Sequence, residues 1–248
     1  MTPQTSDTNP LRIATVPFGR AGGLLGLTFA PGKQQGDGAT AWHRRDLGTD
    51  LDTIAAWNAA AVVTLVEVHE LEALRIASIG SEVRRRHMEW HHWAIGDYQV
   101  PGADFLAAWP GRSAMLRGLL ARGGRVLVHC KGGLGRAGSV AARLLVEDGM
   151  APDATIAAVR AARPGAIETP GQKAWVAAGQ SARCWGWRWA TRWGRRSSSN
   201  RSRGSRGWTT CGQVGRIGCS GGSGRTIPPW RWRWPRAWWR ILGWMPTI

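Results

Sequence analysis

Residues 125–148 have the pattern of a strand, a glycine-rich turn and a helix in immediate succession. "RVLVH" is a short β-type run, "CKGGLGR" carries three glycines, and "AGSVAARLLVED" has the spacing of an amphipathic helix. A strand that leads directly into a helix is typical of sheets whose strands run parallel. The unit therefore predicts an α/β fold, in which ligands bind beyond the carboxyl ends of the strands.

Strands and helices alternate through the rest of residues 11–178, which we expect to form one domain. "RIATVPF" and "GLLGLTFAPG" have the composition of an opening hairpin, and "AVVTLV" and "MEWHHWAI" indicate further strands. Helical spacing extends over "DLGTDLDTIAAWNAA", "HELEALRIASIGSEVRRRH", "GADFLAAWPGRSAMLRGLLARG", "PDATIAAVRAARP" and "TPGQKAWVAAG". This order predicts a central, mostly parallel sheet flanked by helices. Residues 1–10 are polar, and we expect them to be disordered.

Charge is distributed unevenly along the chain. The net charge of +17 would by itself favour a nucleic-acid partner, but all 16 acidic residues lie within residues 1–180. Residues 181–248 hold 14 arginines, 11 of the 17 tryptophans and no acidic residue, without a sustained helical or strand period. We therefore expect the basic tail, residues 179–248, to be unstructured, and any nucleic-acid binding to involve the tail alone.

The tail also has the composition of a segment translated in a shifted reading frame. Tryptophan has a single codon, so the residues allowed in a neighbouring frame are largely determined. In one shifted frame "CWGWRWATRWG" accommodates "LGLAVGDALG", and "SGRTIPPWRWRWP" permits "WTDDTAMALALA". Both strings resemble ADP-ribosylglycohydrolase signatures, the second its metal-binding Thr-Asp-Asp motif. We expect a frameshift within codons 178–186; the encoded tail has neither motif and no such activity is carried over.

Cys130, at the junction of strand and helix, is the residue best placed for chemistry. Glycines in the turn let backbone N–H groups converge on an anion, and the helix N-terminus adds a favourable field. The same field favours a thiolate over a thiol. Arg136 offers a planar fork of donors to two phosphate oxygens. We therefore expect attack on phosphorus through a cysteinyl-phosphate intermediate. The expected phosphate-binding residues are Lys131, Gly132, Gly133, Leu134, Gly135 and Arg136.

Two other interpretations of this loop fit its residues less well. A turn around a buried structural cysteine does not require His129 before the cysteine or an arginine six positions after it. A nucleotide-binding loop would end in Gly-Lys-Ser/Thr, which this loop does not.

The cysteines and the hydropathy pattern bear on the cellular compartment. The four cysteines show no C-x-x-C spacing, and no apolar stretch reaches the length of about 18 residues that a membrane span needs. We therefore expect a reducing, cytoplasmic compartment and no membrane span.

The loop "VHCKGGLGRAG" resembles the H-C-x5-R signature of the protein tyrosine phosphatase superfamily. "GLLGLTFAPGK", "VVTLVEVHEL", "HHWAIGD" and "GAIETPGQ" resemble the kinase-associated phosphatase branch of the dual-specificity phosphatases. The resemblance covers roughly residues 11–178. It implies a protein tyrosine phosphatase-like fold and dephosphorylation without a metal or other cofactor.

The resemblance also implies roles outside the loop. "HHWAIGDYQVP" matches the segment with the family's mobile acid, so Asp97 would protonate the leaving oxygen and later accept a proton from water. Asp104 is a rival, although it fits better in the first turn of a helix. "IETPGQ" resembles a segment whose glutamine positions that water, here Gln172, with an exposed helix residue as the alternative. His129 resembles the partner of the nucleophile that orients the loop.

Four other positions bear on the function and on metal binding. Ala137 stands where the family has a serine or threonine that assists departure of the thiolate, and Ser139 follows too late to replace it. Lys131 resembles the basic loop of phosphoinositide phosphatases, although a lysine on the rim is the simpler interpretation. His91 and His92 have no acidic or cysteine partners at metal-ligand spacing, so no metal site is expected.

The sequence thus predicts a cysteine-dependent protein phosphatase that hydrolyses phosphotyrosine monoesters; whether phosphoserine and phosphothreonine are substrates too is left open at this point. A phosphorylated protein is the expected partner. The alternatives are a phosphatase for phosphoinositides or other small phosphate esters, and a phospho-ligand binding module without turnover.

Overall fold

The structure is a computed structural model, and it describes residues 4–35 and 43–179. The strands are β1 (Ala14–Phe18), β2 (Gly23–Thr28), β3 (Gln34–Gln35), β4 (His43–Arg44), β5 (Ala61–Thr64), β6 (Glu89–His92) and β7 (Arg125–His129). The helices are α1 (Leu47–Ala56), α2 (Val68–Ala73), α3 (Ile79–Arg85), α4 (Ala103–Ala121), α5 (Gly135–Asp148), α6 (Pro152–Ala162) and α7 (Pro170–Ala177).

The central sheet has five strands in the order β1-β2-β7-β5-β6. The hairpin β1-β2 is antiparallel, and the other neighbours pair in parallel. The predicted fold, a mostly parallel sheet flanked by helices and opened by a hairpin, is therefore confirmed. Thr28 of β2 and Thr64 of β5 both pair with His129 of β7, so these three strands end together at one edge of the sheet.

The core explains why β7 and α5 sit at the centre of the fold. All four residues of β5 and the last four of β7 are buried, as expected for central parallel strands. Helix α5 is buried at every position from Gly135 to Val146, because it packs against the sheet, α6 and α7. The loop that joins β7 to α5 is consequently fixed at both ends by the most buried elements of the domain.

The N-terminal segment differs from the expectation of disorder. The Ser6 side chain is buried, and its hydroxyl donates to the Asp50 carboxylate at 2.9 Å. Arg45 forms a fully buried ion pair with Asp50 and donates from Nη1 to the carbonyl oxygen of Asn9 at 2.7 Å. A buried ion pair needs further hydrogen-bond partners for its remaining donors and acceptors. Residues 4–10 supply them, so the prediction does not hold for these residues.

The predicted basic tail lies outside the described residues from position 180 onward, and so does its reading-frame interpretation. Within residues 4–35 and 43–179, no helix has the length and apolar character needed to cross a membrane.

Candidate active site

The turn after β7 is built so that only glycine fits at its tightest point. Gly133 has φ +71°, a left-handed conformation, and a Cβ atom there would overlap the backbone of Thr28. Helix α5 begins two residues later, at Gly135. The loop backbone therefore passes directly against the end of β2, and the helix N-terminus faces the same end of the sheet.

Cys130 follows the last residue of β7 and has only 3% of its surface exposed. The backbone N–H of Gly133 donates to its Sγ atom at 3.2 Å. Cys130 is a free cysteine. The fold thus brings the sulfur together with the Gly133 N–H and the N-terminus of α5. The N–H group and the helix N-terminus both stabilise negative charge on sulfur.

The Arg136 guanidinium is held by acceptors on its two terminal nitrogens. Nη1 and Nη2 donate to the two carboxylate oxygens of Glu70 at 2.5 and 2.9 Å, and Nη1 also donates to the carbonyl oxygen of Ile95 at 3.0 Å. Nη2 lies 2.9 Å from Oδ1 of Asp97. These four contacts do not use Nε, so the edge formed by Nε and Nη2 is the one that can receive a phosphate.

The electrostatics of the Arg136–Glu70 pair favour both charged forms. Burial lowers the pKa of Arg136, but the hydrogen bond to Glu70 and the nearby charge of Cys130 outweigh it, and the pKa is raised. Burial raises the pKa of Glu70, but the hydrogen bonds from Arg136 and from the Glu67 backbone outweigh it, and the pKa is lowered. Glu70 therefore acts as the fixed counter-charge that orients Arg136.

Asp97 lies in the loop after β6, and its carboxylate is about half exposed. It lines one cavity with Cys130 and Arg136, and the other lining residues include Lys33, Tyr98, Lys131, Gly132, Leu134 and Glu168. The rival, Asp104, occupies the first turn of α4, as predicted. The structure thus brings the predicted nucleophile, arginine and acid together at one cavity.

His129 is completely buried and bonds to the neighbouring strand. Its Nε2 atom lies 2.8 Å from Oγ1 of Thr64, and that hydroxyl accepts a hydrogen bond from the Trp90 indole at 2.9 Å. Burial lowers the pKa of His129 to about 4. The imidazole is therefore neutral near pH 7, which fits an orienting role better than proton transfer.

Gln172 is buried, with 1% of its surface exposed, so the alternative of an exposed helix residue is wrong. Its side-chain oxygen accepts from the backbone N–H of Glu168 at 2.9 Å and of Thr169 at 3.3 Å. Its amide nitrogen donates to the carbonyl oxygen of Gln99 at 3.4 Å. The residue therefore fixes the start of α7 next to Gly135, and a water-positioning role is a proposal.

Ala137 lies within α5 and is completely buried. The Ser139 hydroxyl donates to the carbonyl oxygen of Gly135 at 2.6 Å, so it is engaged within the helix and does not replace the missing hydroxyl at position 137.

The histidines that were considered for metal binding have other partners. His91 Nε2 lies 3.1 Å from a carboxylate oxygen of Glu89, and His92 Nε2 lies 2.8 Å from the carbonyl oxygen of Val66. In the described part of the chain, no group of three or more histidine, cysteine or acidic residues has the geometry of a metal site.

Arg163 is a site residue that sequence reasoning missed. It follows α6 and donates from Nη2 to the carbonyl oxygen of Gly132 at 2.9 Å and from Nε to that of Gly133 at 3.3 Å. In a trans peptide the C=O and the following N–H point in opposite directions. Because Arg163 holds these two carbonyls, the N–H groups of Gly133 and Leu134 are turned to the other side, where the Gly133 N–H meets Cys130.

Glu70 was missed as well, although it lies in "VVTLVEVHEL", one of the segments that carry the family resemblance. Its sequence signal is an acidic pair, Glu67 and Glu70, at the start of α2, where both form a capping box. That pattern indicates a helix start and gives no sign of a partner 66 positions away.

Known proteins similar to this chain are found both by sequence and by structure. "Cyclin-dependent kinase inhibitor 3" of Rattus norvegicus is 28% identical over 172 residues, which cover 67% of this chain and 77% of the relative. The crystal structure of kinase associated phosphatase (KAP) with its catalytic-site cysteine changed to serine has a TM-score of 0.62 and 25% identity, covering 71% of this chain and 97% of that one. PTPMT1 in complex with PI(5)P has a TM-score of 0.51 and 21% identity over 64% of this chain and 94% of that one, which shows a common fold alone.

The fold and these relatives define a hydrolase of the protein-tyrosine-phosphatase type. Residues 40–176, more than half of the chain, match the family model PTP-SAK, "Swiss Army Knife protein, DSP-PTPase phosphatase domain". The chain belongs to this family.

Proposed function

We propose that the protein is a cysteine-dependent protein phosphatase that hydrolyses phosphotyrosine monoesters, and also phosphoserine or phosphothreonine, through a cysteinyl-phosphate intermediate. The supporting observation is the position of Cys130. Its sulfur receives the Gly133 N–H at a cavity that Arg136 and Asp97 also line. The chemistry needs a reduced thiol, so we place it in a reducing compartment such as the cytoplasm.

Substrate binding in this proposal replaces one contact of the free site. Phosphate oxygens bind the N–H groups of the loop and the Nε–Nη2 edge of Arg136, while Glu70 and the Ile95 carbonyl keep the other edge. Asp97 then gives up its contact with Nη2. The carboxylate is left at the rim of the same cavity, where the leaving oxygen of the substrate would lie.

The first chemical step forms the S–P bond between Cys130 and phosphorus while the bond to the leaving oxygen breaks. Asp97, which takes up a proton from water once its ion pair with Arg136 is broken, donates that proton to the leaving oxygen, so tyrosine or another alcohol departs in neutral form. In the second step water attacks phosphorus and gives a proton to Asp97. The S–P electron pair returns to sulfur, and inorganic phosphate is released with the thiolate restored.

The surrounding residues adjust the second step. Ala137 offers no hydroxyl to the departing thiolate, so the Gly133 N–H is the contact that stabilises the sulfur in the free site. We propose that Gln172, which lies beside Gly135, positions the attacking water. His129 orients the loop through Thr64. A slow second step would make the intermediate accumulate.

The test is a pre-steady-state burst with p-nitrophenyl phosphate and with a phosphotyrosyl peptide. We expect one equivalent of product per enzyme in the burst, steady turnover after it, and a phosphorylated enzyme that is trapped by acid. Cys130→Ser should abolish both the burst and the turnover yet still bind the phosphopeptide, because the N–H groups of the loop and Arg136 remain. Arg136→Lys should lose both binding and rate, since a point charge does not replace the fork. Turnover by Cys130→Ser would exclude the covalent route.

A phospho-ligand binding module is the second candidate, and Ala137 is the residue that favours it. That candidate predicts a burst of one equivalent with no turnover after it. Restoring the hydroxyl in Ala137→Ser should then convert the burst into steady turnover.

A phosphoinositide phosphatase is the remaining alternative, and vesicles that contain a phosphoinositide test it. Faster release of phosphate from the vesicles than from the peptide would overturn the assignment of a protein substrate.

A further inference from the structure

The segment that carries Asp97 leaves the sheet and returns as a helix. Trp93 and Ile95 continue the parallel pairing beyond β6, because each N–H group donates to a carbonyl oxygen at or just after the end of β5, at 2.9 Å. The chain then departs from the sheet and re-enters regular structure at Gly102, the N-cap of α4. Asp97 therefore lies on a loop whose two ends are set by β6 and by α4.

One arginine of α4 contacts an aromatic ring at each end of this loop. The Cζ atom of Arg112 lies 5.1 Å from the ring centroid of Trp93, which precedes the loop, and 5.2 Å from that of Phe105, which follows it. Both rings are buried. A cation within about 6 Å of a ring centroid is attracted to the face of the ring, and more strongly where water is excluded. Arg112 therefore joins the two ends of the loop from a single position on α4.

The two rings are the partners that the fold gives to the Arg112 guanidinium. The side chain is partly buried, and burial lowers its pKa. Within residues 4–35 and 43–179, the guanidinium has neither an ion pair nor a side-chain hydrogen bond. An apolar side chain would fill the same space without the cost of burying part of a charge. Attraction to both rings at once therefore explains the arginine better than filling of space does.

The end of the loop that Arg112 holds is connected to the reacting groups. The Ile95 carbonyl, which lies between Trp93 and Asp97 in the chain, accepts from Nη1 of Arg136 at 3.0 Å. Oδ1 of Asp97 lies 2.9 Å from Nη2 of the same guanidinium. A displacement of Trp93 would therefore pass along a few residues of backbone to the acid.

We propose that Arg112 is a positioning residue, which keeps Asp97 at the leaving oxygen by holding the two ends of its loop together. The proposal rests on the proposed phosphatase function, in which Asp97 gives up its contact with Nη2 of Arg136 when a phosphate binds. Once that contact is broken, the position of the carboxylate depends on the anchors of the loop. Loss of Arg112 should therefore slow the step that needs the acid and spare chemistry that does not.

The test follows the burst, whose rate constant reports the first chemical step and whose amplitude counts the folded sites. Arg112→Met keeps the apolar stem and removes the charge. We expect its burst rate constant to fall by roughly 10-fold on a phosphotyrosyl peptide and by less than about 2-fold on p-nitrophenyl phosphate, because only the first leaving oxygen needs a proton. Across a series of aryl phosphates, the rate constant should fall more steeply with the pKa of the leaving phenol than in the wild type. Arg112→Lys retains a cation and should restore part of the rate.

Two comparisons isolate the effect on the acid. In the Asp97→Ala background, Arg112→Met should cause no further loss on the phosphotyrosyl peptide, because no acid is left to position. Arg122→Met is the matched control, since Arg122 is an exposed arginine at the opposite end of α4 from Phe105. This control should keep the wild-type rates on every substrate.

A second measurement does not depend on turnover. If Arg112 holds Asp97 in place, Arg112→Met should weaken the contact of that carboxylate with Arg136. Inorganic phosphate should then bind the Cys130→Ser protein more tightly, by up to about 5-fold in calorimetry.

Three results would overturn the proposal: equal losses for all leaving groups, an additive loss in the double variant with Asp97→Ala, or unchanged phosphate binding. If the wild type turns over no substrate at all, the proposed function fails. Phosphate binding then still decides whether Arg112 positions Asp97.

Discussion

Replacement of Asp97 by alanine should change phosphate binding and catalysis in opposite directions. Asp97 Oδ1 lies 2.9 Å from Arg136 Nη2, and the Asp97 side chain is 49% exposed. An ion pair with this exposure is worth about 0.2–1 kcal/mol. A phosphate has to displace the carboxylate to use Nη2, so Asp97→Ala should tighten the binding of inorganic phosphate by about 1.4- to 5-fold.

The same substitution should slow the chemical step, because it removes the general acid. The expected loss in kcat is about 10²- to 10⁴-fold on a phosphotyrosyl peptide, whose leaving oxygen needs a proton. The loss should be distinctly smaller on p-nitrophenyl phosphate, since nitrophenolate departs without one. Steady-state kinetics on both substrates and the inhibition constant of inorganic phosphate measure all three quantities on one preparation.

Asp104→Ala is the matched control for the loss of a carboxylate. Asp104 lies in the first turn of α4, where its removal should lower stability slightly and leave the kinetics intact. The assignment of Asp97 is refuted if Asp97→Ala weakens phosphate binding, if both substrates lose the same factor, or if Asp104→Ala reproduces the effect.

Four further predictions concern the surroundings of the site and the tail. Glu70→Gln keeps the shape of the side chain but removes its charge, so it should raise KM for p-nitrophenyl phosphate. In urea titrations it should also lower the free energy of unfolding by about 1–3 kcal/mol. An unchanged KM would contradict the orienting role of Glu70. Arg163→Met should lower kcat/KM by about 10- to 100-fold and weaken phosphate binding to Cys130→Ser, with partial recovery in Arg163→Lys, because the Gly133 and Leu134 N–H groups lose their orientation. The pKa of His129 is lowered from 6.5 to about 4, so between these values the unfolded chain binds the extra proton. Stability should therefore fall as the pH drops through this window, by about 3 kcal/mol in total, and His129→Gln should remove this part of the pH dependence. Sequencing of codons 178–186 should reveal one shifted frame that opens an ADP-ribosylglycohydrolase-like domain; a stop codon soon after the correction in every frame would exclude this.

The parts of the site that could be predicted from sequence are those whose residues are consecutive. A β-type run, a cysteine, closely spaced glycines and a helix that opens with an arginine specify the backbone path and the anion-binding direction together. The structure places Cys130 and Arg136 at one cavity in this way. Asp97 was assigned to the site only through the family resemblance, since nothing in the local sequence indicates the direction of its side chain.

The parts that could not be predicted depend on contacts between distant segments. Glu70 meets Arg136 across 66 positions, and Arg163 meets the loop across about 30. In its local sequence, a polar residue such as Ser6 predicts a position exposed to solvent. In the fold, Ser6 completes the hydrogen bonding of the Arg45–Asp50 pair, whose burial only the tertiary structure reveals.

The free site holds Arg136 in a way that couples substrate binding to placement of the acid. In the free site Glu70 and the Ile95 carbonyl already hold Nη1 and one hydrogen of Nη2, away from the edge that would receive a phosphate, so the guanidinium is ordered before a substrate binds. Asp97 contacts the remaining hydrogen of Nη2. The next residue, Tyr98, has φ +56°, a left-handed backbone conformation that is unfavourable for a tyrosine. A phosphate that takes Nη2 therefore releases a carboxylate from a strained loop segment beside the cavity. In the proposed reaction, the same exchange that binds the substrate makes the acid available to the leaving oxygen.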